Sequence, residues 1–326
     1  MYPLNLPNLG PLTLAGANAI QNAINQSALG VTGSVFYCDP VNGLDVNPGT
    51  SPKSAVQTLA AGYALLTSGN NDVLVLIGNG ASTGSARLSA AFTWAKNACH
   101  LVGVCAPSMV SQRARIAPTA AIAAFANFFT VSGNGCLFQN LSWFHGFNAG
   151  VAASICLTVS GQRNAFVNCD VEGMGDATSA ASSTSRSVLL SAGENYFGHC
   201  NIGLDTIART NANASVEISS NAARNIFEHC LFVVDSTDGL QYFGLVNGAA
   251  AMDRFVLFKD CNFIAFNGGT AIAAAFHLVA SSGGMVAFDS GCGLFNCAAI
   301  GDVTSKAQIF VSGGTATNGV KGVVAT

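Results

Sequence analysis

Five cysteines recur in this 326-residue chain at an almost fixed interval. Cys169, Cys200, Cys230, Cys261 and Cys292 lie 31, 30, 31 and 31 residues apart. Regularly placed thiols can ligate a soft metal or close disulfides. The residues just before three of them are His199, His229 and Asp260. A histidine–histidine–carboxylate set is the donor type of a metal centre or of acid–base catalysis. Asp235 and Asp238, three residues apart, offer the carboxyl pair that glycoside hydrolysis needs.

Each feature also has a structural reading. Zinc sites legible in sequence show closely paired cysteines, and no CxxC occurs here. Buried cysteine packs as a small apolar residue. The column before the cysteines reads Asn140, Asn168, His199, His229 and Asp260. Asn, Asp and His are the non-glycine residues that best tolerate the left-handed αL conformation, so a tight corner explains all five. Asp235 and Asp238 fall in a turn after a strand, where aspartate is common. No metal site or cofactor-binding motif is assigned, and Asp235 and Asp238 are the only catalytic candidates.

The elements that position these residues follow from a second column. Phe138, Phe166, Phe197, Phe227, Phe258 and Phe288 recur 28, 31, 30, 31 and 30 residues apart. Leu141 takes the cysteine place in the earliest copy. Phe166 and Cys169 are an odd number apart, so a straight strand would point them to opposite faces. Both recur and both are apolar, so the chain bends between them and buries both. In the last copy Phe288 and Cys292 are four apart, which predicts a bulge or an altered corner. A second apolar segment follows in each copy: 156–159, 188–190, 216–218, 242–246, 276–279 and 309–311. A repeat of about 30 residues with two or three short strands buries its apolar face only by stacking on its neighbours. That is a parallel β-helix.

Bulk composition agrees with a stacked architecture. Charged residues number 29, only 9% of the chain, against about 25% in a typical domain. Charge this scarce suggests surface hidden against other copies or a larger assembly. No apolar run reaches the ~18 residues of a membrane span. The net charge of −3 offers no basic stripe for nucleic acid. No secretory leader is read in "MYPLNLPNLGPLTL", so the thiols are expected to be reduced. Trp94 falls at the cap and Trp143 where other coils place inward apolar residues, and neither reads as a sugar platform. From residue 97 onward, no two acids are seen to share an outward column with a basic partner.

At the start of the chain, a strand leads into a loop rich in Asp, Asn, Pro and Gly. Ser54 to Leu66 then has helical spacing. Asp45 and Asn47 are read as hydrogen-bonded turn residues rather than calcium ligands. "YCDPVNGLDVNPGTSPKSAVQTLAAGY", "DVLVLIGNG" and "TWAKNACHLVG", with the F-x-N-C-x-V coils, resemble pectin-lyase-like right-handed β-helix proteins of bacteriophage virions. The likeness covers roughly residues 35–300 and is more specific for fold than for origin. It implies an all-β, single-stranded right-handed parallel β-helix with a small N-terminal α/β cap. The expected divisions are 1–34 as an N-terminal arm, 35–96 as the cap with a short helix and the first strands, and 97–326 as coils of about 30 residues. Short length, scarce charge and the lack of an added receptor domain after the coils favour a non-enzymatic capsid decoration (cement) protein over a tailspike. It would be made in the host bacterial cytoplasm and sit on the capsid exterior. The resemblance implies a homotrimer touching a major capsid protein, without nucleic acid or membrane. The alternative is a tailspike or adhesin that binds or cleaves host surface polysaccharide.

Overall fold

The computed structural model describes residues 33–105, 114–119, 126–146, 152–266, 270–280, 283–301 and 309–311. The proposed arm, apart from its last two residues, and the segment 312–326 lie outside them. One coil shows the plan. Ala165–Val167 lies in a first sheet, Asp170–Glu172 in a second and Arg186–Leu190 in a third. The chain then returns to the first sheet at Tyr196–Gly198. Among the described residues the three sheets hold ten, eight and seven strands. The pairs joining consecutive coils are parallel, as in Phe166 opposite Phe197, Val171 opposite Ile202 and Val188 opposite Val216.

Left-handed residues make the corners. Between the first and second sheets stand Asn140, Asn168, His199, His229 and Asp260, at φ of 55°, 53°, 52°, 52° and 50°. They turn the chain so that Phe166 and Cys169 both point inward, each 0% exposed. A second such column precedes the first sheet: Asn71, Ala98, Arg163, Glu194 and Arg224, at 55°, 45°, 59°, 64° and 59°. It is followed by buried Asn164, Asn195 and Asn225. Each side-chain Oδ1 accepts a backbone N–H from the coil before: Cys136 N to Asn164 at 2.8 Å, Asn164 N to Asn195 at 3.0 Å, and Asn195 N to Asn225 at 2.9 Å. The ladder satisfies corner amides that no strand can reach.

Inside, the six phenyl rings stack from Phe138 to Phe288, with centroids 4.5–5.1 Å apart and planes within 13°. Each corner thiol donates to the carbonyl of the phenylalanine one coil back. Cys200 reaches Phe166 O at 3.3 Å, Cys230 reaches Phe197 O at 3.3 Å and Cys261 reaches Phe227 O at 3.4 Å. All eleven cysteines are free thiols.

Three details differ from the sequence reading. A complete coil already forms over Asp72–Ile77, Ala86–Leu88 and Phe92–Trp94, inside the stretch assigned to the cap. The helix runs only over Leu59–Leu65, because the Thr58 hydroxyl caps Ala61 N and ends the preceding extended chain. Ile309–Val311, expected in the same segment as 276–279, joins the first sheet beside Met285–Phe288.

Candidate functional site

The outward side of the third sheet carries one column of matched register: Thr130, Thr158, Leu189, Glu217, Leu245 and His277. Glu217 is the acid in it. Its Oε2 receives Nε of Arg186 from the preceding coil at 2.6 Å, and its Oε1 receives Nδ2 of Asn247 from the following coil at 2.8 Å. Arg186 is itself fixed by the carbonyls of Ser183 and Ser185, at 2.8 and 2.7 Å. The carboxylate is therefore pinned from both sides, with 11% of its side chain still exposed. His277, two strands along in the same column, stacks with Tyr242, which stands on the intervening strand opposite Ala214; the ring centroids are 5.0 Å apart and the planes 18° apart. At the strand spacing of about 4.8 Å, the backbone of His277 lies roughly 10 Å from that of Glu217. A carboxylate can act as base or nucleophile, and the guanidinium and amide that bind this one fix its orientation. A flat aromatic pair suits the apolar face of a sugar ring.

On the second sheet the register brings one acid into the column of a base: Asp170 shares the column of Arg115, while Glu172 stands in the next outward column, opposite Phe144. Asp170 and Glu172 are two apart on one strand and so face the same way. Arg115 and Asp170 both pair in register with Ser142 on the strand between them. Asp170 Oδ1 accepts Asn201 Nδ2 at 2.7 Å, and Arg115 lies 4.1 Å from the centre of the Phe144 ring. Burial pushes the Arg115 pKa down, and the charge of Glu172 opposes that push. Reading along the chain missed this group because its members sit one coil apart, and only register brings them together. Asp170 and Glu172 are 1% and 4% exposed, which closes the group to a polymer.

Asp235 and Asp238 do not form a pair on one face. Asp235 stands on the strand Leu231–Ser236, opposite Phe266. Asp238 lies in the following turn, where its carboxylate accepts Asn211 N at 2.8 Å, Leu240 N at 3.0 Å and Gln241 Nε2 at 2.5 Å. Burial raises the Asp238 pKa, but these hydrogen bonds outweigh it and the net shift is downward. Its chemistry is spent on the turn.

At the exposed corner, His199 and His229 stack 4.9 Å apart, and His229 Nδ1 is 3.9 Å from Asp260 Oδ2. Beside them Glu228 accepts from Lys259 and from Tyr196, which holds its carboxyl below the usual range. Among the described residues, no three His, Cys, Asp or Glu side chains are grouped to hold a metal ion. Asp45 binds Gln57 N, Thr58 N and Thr58 Oγ1 at 2.7–2.8 Å and anchors the helix start.

No family profile and no curated protein matches the sequence. Solved structures do match the architecture. A pectin methylesterase variant in complex with a hexasaccharide is 13% identical, with a TM-score of 0.53 over 86% of this chain and 89% of that one. The pectin methylesterase PemA from Erwinia chrysanthemi is 13% identical, with a TM-score of 0.52 over 86% and 88%. The pectin methylesterase from Aspergillus niger is 11% identical, with a TM-score of 0.51 over 88% and 83%. The fold is a right-handed, pectin-lyase-like parallel β-helix.

This likeness corrects the reading of the β-helix as a non-enzymatic capsid decoration protein. The matched structures named above are pectin methylesterases, so the cement role and the non-enzymatic reading lose their basis. Scarce charge does not by itself argue for a shell, because interior columns, coil after coil, take apolar residues. No helix among the described residues is long and apolar enough to cross a membrane.

Proposed function

We propose that this β-helix is a carbohydrate-directed enzyme that binds a surface polysaccharide along the outward side of its third sheet and modifies it there. The alternative already open in the sequence, a tailspike- or adhesin-type activity, is the form favoured. One observation carries the reading: Glu217, held by Arg186 and Asn247, shares its column with His277 of the Tyr242–His277 stack. Glu217 acts as base or nucleophile. Arg186 and Asn247 orient it, and Tyr242 with His277 seats a sugar ring. A single carboxylate with 11% of its side chain exposed fits ester cleavage or proton abstraction next to a carbonyl better than glycoside hydrolysis, which uses two.

The experiment is a screen of acidic and esterified polysaccharides for released alcohol, released acid, new reducing ends or unsaturated uronate. Glu217→Gln is expected to lower turnover at least 100-fold while the fold is retained by circular dichroism, with a lower melting temperature because buried Arg186 loses its counter-charge, and Tyr242→Ala to raise KM. Asp238→Asn is expected to leave turnover intact unless the protein unfolds. Full activity in Glu217→Gln would reject the assignment.

We also propose self-association through the first sheet. Its outward side carries a continuous apolar column: Leu137, Ala165, Tyr196, Ile226, Leu257, Ala287 and Phe310. Arg163, Arg224 and Arg254 outnumber the acids along one edge, and Glu228, Asp260 and Asp289 outnumber the base along the other. A second copy turned about an axis parallel to the coils sets unlike edges together. Three copies remain the expected number.

A further inference from the structure

One cation inside the coils has no counter-charge. Arg209 ends the strand Asn201–Arg209 and is 1% exposed. Its Nε donates to Asn213 Oδ1 at 2.7 Å and its Nη1 to Ser215 Oγ at 3.0 Å. Its Nη2 is buried and meets no hydrogen-bond partner. The charged group that acts on it most is another cation, Arg186, and with burial this pushes the Arg209 pKa down to about 9. Glu217, on the strand that follows Arg209, is already engaged by Arg186 and Asn247. A buried, unpaired guanidinium costs several kcal/mol, so an interior of this kind calls for a negative partner.

The surroundings supply further donors. Ser215 accepts from Arg209, so its own hydroxyl hydrogen is available to give. Ser187 occupies the equivalent place one coil back, between the registered pairs Arg186–Ala214 and Val188–Val216, about 4.8 Å away. Its Oγ is also buried without a partner. The corner is shut from outside: a Cβ on Gly173 would meet Ser187 Cα at 2.5 Å, and Ser187 and Ser215 are both 0% exposed.

We propose that Arg209 Nη2, with the hydroxyls of Ser187 and Ser215, forms an internal site for a small monovalent anion of chloride type. A water molecule would accept two of these hydrogens but leave the positive charge uncompensated. A glycan carboxylate shares the charge but cannot pass a closed corner. The site is separate from the third-sheet carboxylate and does not depend on the enzymatic reading. Its consequence is structural: the anion locks two successive coils at the point where Arg186 and Glu217 are mounted.

Two measurements test it on the full chain. Crystals soaked in sodium bromide are expected to show an anomalous peak at hydrogen-bonding distance from Arg209 Nη2. Melting in sodium chloride is expected to exceed melting in sodium gluconate at equal ionic strength by about 3 °C, the order that linkage gives for an ion well above its Kd. Arg209→Met removes the charge at similar length and should erase the difference between the two salts. Should that variant not fold, Ser187→Ala is expected to shrink the difference while the bromide peak in the unaltered protein decides the matter. Equal melting in both salts, a chloride effect that survives Arg209→Met, or density at Nη2 with no anomalous signal would each overturn the site.

Discussion

At the residue scale, the corner thiols show how packing silences a reactive group. A cysteine reacts through its thiolate. Burial pushes the thiols of Cys230 and Cys156 well above the ordinary range. Cys169, Cys200 and Cys261 are each 0% exposed, with the sulfur held against a carbonyl of the previous coil. Cysteine suits this place because it is small and apolar yet donates weakly where a strand-end carbonyl would otherwise go unmet. The prediction is that a thiol reagent at neutral pH labels Cys105 and Cys297, which are partly exposed, and leaves the four corner thiols silent until denaturant is added. Cys297 should label slowly, since burial pushes it up to about 11. Peptide mapping reads the result, and rapid label on Cys200 or Cys230 in the native protein contradicts their interior placement.

At the scale of elements, the corners rather than the strands carry specificity. Three-residue strands such as Ala165–Val167 have little preference of their own. What fixes them is the left-handed residue on either side and the asparagine ladder beneath. Asn195→Ala strips the acceptor from the buried Asn164 N–H, and an orphaned buried amide costs about 1–3 kcal/mol. The expected result is a lower urea midpoint with an unchanged slope, measured beside Asn134→Ala near the surface. The helix start gives a pH signature. Burial raises the Asp45 pKa, but hydrogen bonds from Thr58 and Gln57 outweigh it, so the folded value lies below the unfolded one. Its stabilisation is complete above the ordinary carboxylate range and fades as pH falls through that range toward the folded value. Asp45→Asn should therefore flatten part of the acid limb of the melting profile and leave the neutral region lower throughout.

The phenylalanine and cysteine spacing made the coil legible in sequence, because identical interior environments recur at identical phase. The second left-handed column was equally periodic, as Arg-Asn, Glu-Asn and Arg-Asn at 163–164, 194–195 and 224–225. It is harder to see, because an exposed αL residue accepts either charge. The third-sheet site was not legible. Arg186, Glu217 and Asn247 lie 31 and 30 residues apart, share no residue type, and meet only because register places them on neighbouring strands.

At the scale of the whole molecule, stacking leaves one broad outward side without polar cover. From Leu137 to Phe310 the first sheet's apolar column spans seven coils, about 29 Å at the usual strand spacing. Polar relief comes only at its two edges, and their net charges are opposite in sign. An axis parallel to the coils joins basic edge to acidic edge, whereas an antiparallel arrangement would set like edges together. Cyclic closure then follows from the same contact repeated. Ile226→Lys and Leu257→Glu place charges at adjacent positions in the middle of the column, half-buried already and pointing away from the interior, so the coil itself should tolerate them. Light scattering after size exclusion is expected to show an oligomer for the unaltered chain and a monomer for the double variant, with melting lowered by only a few degrees. Salt should weaken the assembly modestly through its edges. A monomer at all concentrations in the unaltered chain would leave the apolar column as simple exposed surface and remove the argument for a parallel assembly.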